Sequence, residues 1–120
     1  MQYVDIAVRL AAPAARNRAA QELVARKFKV TWQDDWYAVA TRGSRIANAF
    51  AGAMAQSYKV GIRVMAGEGD VTIVRFEKLA SGWMGGAIGA ARADKEIRSL
   101  RDDFAAAFQS AGLLAGVTEG

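Results

Sequence analysis

Apolar and polar side chains alternate strictly at the start of the chain, over residues 3–10. An alternation with a period of two is typical of a β-strand with one buried and one exposed face. The sequence therefore predicts a half-buried first strand from Tyr3 to Leu10. Its apolar side consists of Val4, Ile6, Val8 and Leu10.

A helical pattern follows this strand. Pro13 stands where the first turn of a helix tolerates proline. Arg26 and Lys27 stand at the other end, where positive charge suits the helix dipole. The apolar stripe between them, at helical spacing, consists of Ala15, Ala19, Ala20, Leu23 and Val24.

Two β-hairpins are predicted further along the chain. The first has a three-residue loop at positions 33–35, and its facing core pairs are Trp32 with Trp36, Val30 with Ala38 and Phe28 with Ala40. The second has a loop at positions 67–69, with Gly69 in the left-handed conformation of a bulge turn. Its facing pairs are Val64 with Thr72, Ile62 with Val74 and Val60 with Phe76.

Two more helices complete the pattern. A short one is predicted over residues 44–56, with Ser44 as its N-cap. A long one starts near Gly82 and ends at Gly112, a left-handed cap that folds Leu113 back onto Phe108. The stripe of the long helix consists of Gly86, Ala90, Ala93, Ile97, Leu100, Phe104, Phe108 and Ala111.

The predicted element order is β-α-β-β-α-β-β-α. This order favours the α+β class, with an antiparallel sheet of about five strands and the helices on one of its faces. We expect a single domain over residues 1–116 and a short loose end at residues 117–120.

Composition narrows the chemistry. The 120 residues include neither histidine nor cysteine, which removes the usual ligands of zinc, cysteine nucleophiles and every catalytic triad that uses imidazole. The pairs Asp34–Asp35 and Glu68/Asp70 fall on hairpin tips, where acidic residues serve turn geometry. We therefore expect no metal, no cofactor and no enzymatic activity.

The cellular setting is also an expectation. No apolar run is long enough to span a membrane, and the first residues lack a secretory signal, so we expect a cytoplasmic protein. The abundance of alanine and the preference for arginine over lysine are typical of a bacterial genome rich in G and C. The net charge of +4 weakly favours acidic partners.

The outer face of the predicted sheet is the first candidate site. It carries cations interleaved with aromatic side chains, an arrangement that suits an acidic protein partner, an acidic lipid surface or, less readily, single-stranded nucleic acid. The alternative is a solvated face that discourages aggregation, partly neutralised by Asp5 and Glu77. The candidate partner-binding residues are Arg9, Lys29, Lys59, Arg63, Arg75 and Tyr37.

A glycine-rich stretch before the last helix is the second candidate. Glycines at a helix start allow close contact with another helix, and they also suit an anion site or a hinge. The stretch lacks the lysine of a phosphate-binding loop, so close helix contact is the favoured interpretation. The residues are Gly82, Gly85, Gly86 and Gly89.

Tryptophan and methionine side chains are the third candidate. They could line an apolar pocket between the long helix and the sheet, or simply fill the core. The residues are Trp32, Trp36, Met54, Trp83 and Met84.

The sequence as a whole predicts a non-catalytic interaction module that self-associates. It would engage a macromolecular partner through its basic sheet face or its small-residue helices. The alternative is a carrier or sensor of a small apolar ligand held in the tryptophan pocket.

Overall fold

The computed structural model of the chain describes residues 2–42, 58–79 and 86–120, and for Tyr58 and residues 86–92 it describes the backbone only. The helix predicted over residues 44–56 lies outside these ranges. So do five of the candidate site residues: Met54, Gly82, Trp83, Met84 and Gly85.

Six strands and two helices make up the described part of the chain. The first half contains β1 (Tyr3–Val8), α1 (Ala12–Ala25), β2 (Lys29–Trp32) and β3 (Tyr37–Arg42). The second half contains β4 (Tyr58–Ala66), β5 (Thr72–Lys78), α2 (Gly86–Ser110) and β6 (Leu114–Glu119).

The strands form one antiparallel sheet in the order β2-β3-β4-β5-β1-β6. Both helices pack on the face that carries Val4, Ile6 and Phe76. The predicted α+β class, with a long last helix, is confirmed. The strand count is higher than predicted, because residues 114–119 pair with β1 where we expected only a loose end at residues 117–120.

Both hairpin registers differ from the prediction by two residues. In the first hairpin Trp32 faces Ala38 and Val30 faces Ala40, so the predicted Trp32–Trp36 pair is wrong. The loop is longer than expected, because the Asp34 carboxylate accepts the Trp36 amide N–H at 2.8 Å and holds a four-residue turn. Trp36 is consequently 40% exposed instead of lying in the core.

The second hairpin shows the same shift. Val64 faces Val74, Ile62 faces Phe76, and Val60 faces Lys78. The Gly67 amide donates to the carbonyl of Val71 at 2.9 Å, which closes a five-residue loop. Gly69 has a φ of +62°, so its predicted left-handed conformation is confirmed. A slip of two residues leaves every side chain on its predicted face, which is why the alternation alone did not determine the loop length.

The core lies between the sheet and the two helices. Phe76 of β5 contacts Phe104 of α2 edge to face, with ring centroids 4.7 Å apart. The ring centroids of Phe104 and Phe108 are 6.2 Å apart. All three side chains are fully buried. The predicted stripe of α2 is confirmed from Ala93 to Phe108, whereas Ala111 is exposed. On α1 the buried residues are Ala15, Ala19 and Leu23, and Val24, which we expected in the stripe, is 60% exposed.

Each helix ends in a left-handed residue. Gly112 has a φ of +72°, its amide donates to Gln109, and the Leu113 amide donates to Phe108 at 2.8 Å. This is the predicted Schellman cap. Helix α1 ends with the same pair of hydrogen bonds around Lys27, a non-glycine residue with a φ of +70°.

Candidate functional site: the open sheet face

The sheet face opposite the helices is our candidate site, and we call it the open face. No described element covers it. Its side chains are partly or fully exposed, and those that form the candidate site come from five adjacent strands of the sheet. They are Tyr3, Asp5, Ala7, Lys29, Thr31, Tyr37, Val39, Thr41, Lys59, Arg63, Met65, Ile73, Arg75 and Glu77.

Arg75 lies near the centre of the open face and is fully engaged there. Its Nε donates to Asp5 Oδ1 at 2.7 Å and its Nη2 donates to Asp5 Oδ2 at 2.9 Å, which forms a bidentate pair between β5 and β1. The guanidinium also lies 3.7 Å from the centre of the Tyr3 ring. The hydrogen bond to Asp5 raises the pKa of Arg75, so the guanidinium stays charged over the whole physiological range.

Arg63 repeats the arrangement on the next strand. Its Nε donates to Glu77 Oε1 at 2.8 Å, and its guanidinium lies 4.5 Å from the centre of the Tyr37 ring. The hydrogen bond to Glu77 raises the pKa of Arg63. A Cβ on Gly61 would lie only 3.0 Å from the Tyr37 hydroxyl, so the absence of a side chain at this position lets the tyrosine lie across β4.

The ion pairs leave less free positive charge on the open face than the sequence predicts. Arg63 and Arg75 are not free cations, because each is neutralised by an acid on a neighbouring strand. The uncompensated charge instead lies at one corner, where Lys29 faces Thr41 and Thr41 faces Lys59. The two lysines stand on the same side of the sheet about 10 Å apart, the width of two strand spacings. Neither forms an ion pair with any other described residue.

Arg9, which we predicted on the open face, is engaged by the edge strand β6. Strand β1 ends at Val8, one residue before it. The Arg9 side chain instead donates to the carbonyl of Leu114 at 2.8 Å, so it secures the start of β6.

An apolar strip lies beside the paired charges. Ala7, Ile73 and Met65 face one another in register across β1, β5 and β4. Each is partly exposed. The open face therefore combines an apolar strip, two neutralised arginine–tyrosine clusters and a pair of free lysines.

The other two candidates are only partly described. Of the glycine set, Gly86 and Gly89 lie in the first turn of α2. Of the proposed pocket, Trp32 is half-buried and covered by Arg16, whose guanidinium lies 3.8 Å from its ring centre. Trp36 is exposed and lines a shallow hollow of about 300 Å³ that also includes Tyr37, Arg63 and Met65. The structure therefore does not bring Trp32 and Trp36 together between the long helix and the sheet.

Two features escaped the sequence analysis. One is strand β6, whose weak alternation resembled a loose end. The other is the pairing of the charges, although Asp5 and Glu77 were visible on the same predicted face. Asp5 lies opposite Arg75 because β1 pairs with β5, and the order of the strands in the sheet was not predictable from the sequence.

In the parts of the chain that the structure describes, no three acidic side chains lie close enough together to hold a metal ion. No helix within the same ranges is long and apolar enough to cross a membrane.

Comparison with known proteins gives the chain no relatives: no protein-family model matches it, and no curated protein or solved structure is significantly similar to it.

Proposed function

We propose that this chain is a non-catalytic interaction module that self-associates and binds a protein partner through the open face. The observation that carries the proposal is that the arginines of this face are already paired with Asp5 and Glu77 among partly exposed aromatic and aliphatic side chains. A bacterial source, favoured by the alanine-rich composition, and a cytoplasmic location are part of the proposal.

The paired charges support binding because they lower the cost of covering the face. Burying a charge that has no ion-pair partner is strongly unfavourable, whereas Arg75 and Asp5 remain paired with each other when a bound protein excludes water. Tyrosine, methionine and arginine are also the side chains that protein interfaces favour. Tyr37 and Arg63 are already stacked, so little side-chain freedom remains to be lost on binding.

The two lysines indicate the chemistry of the partner. Lys29 and Lys59 lie at the corner of the open face with no acid opposite them. A matching surface would present an apolar patch to the strip around Ile73, and one or two carboxylates to this corner. The apolar contact would supply most of the affinity, and the lysines would contribute orientation and a salt-dependent rate of association.

Affinity capture from an extract of the source organism tests the proposal. The bait is the whole chain, compared with Ile73→Lys, which puts a charge into the apolar strip, and with Lys59→Glu, which reverses the corner charge. The matched control is Lys95→Glu on the exposed side of α2. Circular dichroism and thermal melting establish that all four proteins fold.

The proposal expects at least one protein that the native chain and the Lys95→Glu control retain equally. The Ile73→Lys variant should retain it at least tenfold less. Lys59→Glu should retain less of it than the native chain at low salt, and this difference should shrink as salt is raised, because salt screens the charges. Retention of the same proteins by all four baits, or by none of them, would overturn the assignment of the open face.

A further inference from the structure

The two edges of the sheet differ in how they are protected. Natural edge strands avoid pairing with other chains by being short or by carrying lysine or proline. Edge β2 has four residues and an exposed lysine, Lys29. Edge β6 has six residues, Leu114–Glu119, and its one charged side chain is Glu119 at the far end. Strand β6 therefore lacks these protections.

The outward hydrogen-bonding groups of β6 follow from its pairing with β1. The Tyr3 N–H donates to the Gly120 carbonyl at 3.3 Å, and the Gly120 N–H donates to the Tyr3 carbonyl at 3.0 Å. Because such pairs alternate along an antiparallel ladder, Thr118 is also bonded to β1, whereas Val117 and Glu119 direct their N–H and C=O groups away from it. Val117 is thus both an outward-facing backbone position and an exposed large apolar side chain, at 37%.

We propose that β6 pairs antiparallel with β6 of a second copy, about a two-fold axis that passes beside Val117. The two sheets would then form one continuous twelve-stranded sheet. Val117 of each copy would face Val117 of the other and exchange both backbone hydrogen bonds with it. Two positions away on each side, Glu119 would face Ala115 of the second copy.

A second copy fits this edge because an antiparallel pair of identical strands is self-complementary. The proposed register places no like charges opposite each other. Glu119 also keeps its ion pair with Arg101 of its own α2. At the other end of the strand, Arg9 already occupies the Leu114 carbonyl, which limits the free edge to residues 115–119. Both α2 helices would lie on the same side of the joined sheet, so the open faces would also lie together on the other side.

This inference rests on the self-association in the proposed function and names its surface. The test is sedimentation velocity of the whole chain over a wide concentration range. Val117→Lys and Val117→Glu place like charges across the axis, and Thr31→Lys, at an exposed position of edge β2, is the matched control. A fifth sample is an equal mixture of the two Val117 variants.

The native chain and Thr31→Lys should sediment as dimers, at twice 12.8 kDa. Each Val117 variant alone should dissociate at least tenfold more readily, and the mixture should recover dimers because opposite charges then face each other. Val117→Pro removes an outward N–H that β1 does not use, so it should also give a folded monomer.

The failures of the two proposals are distinguishable. A native chain that is monomeric at every concentration would overturn self-association and this inference together. A dimer that survives Val117→Lys and Val117→Pro, or a mixture that stays monomeric, would overturn the β6 interface alone. Neither result would affect partner binding by the open face, which Ile73→Lys tests separately.

Discussion

Arg75 and Asp5 form a bidentate ion pair between two neighbouring strands that are 70 positions apart in the chain. The pair lies on the open face, where the Asp5 side chain is 15% exposed and the Arg75 side chain 27%. Strand β1 begins the chain and β5 lies well beyond its middle, so this contact joins distant segments. It also neutralises the centre of the face that we propose as the binding surface.

Removal of either partner should destabilise the fold. Arg75→Ala leaves the largely buried Asp5 carboxylate unpaired and should lower the free energy of unfolding by about 1–2 kcal/mol. Asp5→Ala should lower the free energy of unfolding by a similar amount, and the double variant should lower it by less than the sum of the two single effects. Urea unfolding of the four proteins gives a coupling energy of about 1 kcal/mol if the pair acts as the structure indicates. Additive effects would show that the pair contributes nothing as a unit.

The end of α1 offers a stabilising substitution. Lys27 has a φ of +70°, a conformation that costs a residue with a Cβ about 1 kcal/mol relative to glycine. Lys27→Gly should therefore raise the free energy of unfolding by about 0.5–1 kcal/mol. Gly112 occupies the equivalent position at the end of α2, and a Cβ there would meet nothing within 4 Å. Gly112→Ala should accordingly cost about 1 kcal/mol through backbone strain alone.

Thermal and urea unfolding of both variants measure this effect. The two substitutions should change the free energy of unfolding in opposite directions, because the two sites share the same cap geometry and differ only in the residue present. A Lys27→Gly variant that is less stable than the native chain would show that the lysine side chain contributes more than its backbone strain costs.

The faces of the elements were predictable from the sequence, because burial follows the periodicity of apolar residues. The residues assigned to the core side, such as Ile62 or Phe76, lie on that side wherever the structure has a strand, and Trp36, which falls in the hairpin loop, is the exception. Loop lengths were not predictable in the same way. The side chain of Asp34 and the closure of the 67–71 loop decided them, and a two-residue slip preserves the alternation on which the prediction rested.

The candidate site was predictable only as a set of residues that share a face. Its electrostatics depended on which cation lies near which acid. The unknown strand order hid the pair of Arg75 with Asp5, and the two-residue error in the second hairpin hid the pair of Arg63 with Glu77. The last strand shows a different limit. Leu114–Glu119 includes a bulge against β1 and has weak alternation, so its pairing comes from tertiary contacts with β1 and α2 that no local pattern records.

The aromatic cluster should dominate the stability of the core. Phe104 is fully buried and contacts both Phe76 and Phe108. Phe104→Ala should lower the free energy of unfolding by about 3–5 kcal/mol, because the surrounding helix and sheet cannot close the cavity. Phe104→Leu, which keeps most of the volume, should cost much less. Urea unfolding of these two variants and of Gln109→Ala, an exposed control on the same helix, separates loss of packing from a change in helix propensity.

The ion pairs of Glu22 should make stability depend on pH. A hydrogen bond from Arg26 at 2.6 Å, supported by Arg18, lowers the pKa of Glu22 in the folded chain from its ordinary value of 4.5. The unfolded chain therefore binds this proton more readily than the folded chain does. The contribution is present above pH 4.5 and is lost as the pH falls through the folded-state pKa.

Glu22→Gln should remove about 0.5 kcal/mol of stability near pH 7, the scale of helical ion pairs. The difference between the native chain and this variant should shrink as the pH falls below 4.5. Urea unfolding at pH values from 7 to 3 measures it, with Glu68→Gln in the exposed hairpin loop as the control. A difference that stays constant across this range would mean that Glu22 contributes by packing and not by its charge.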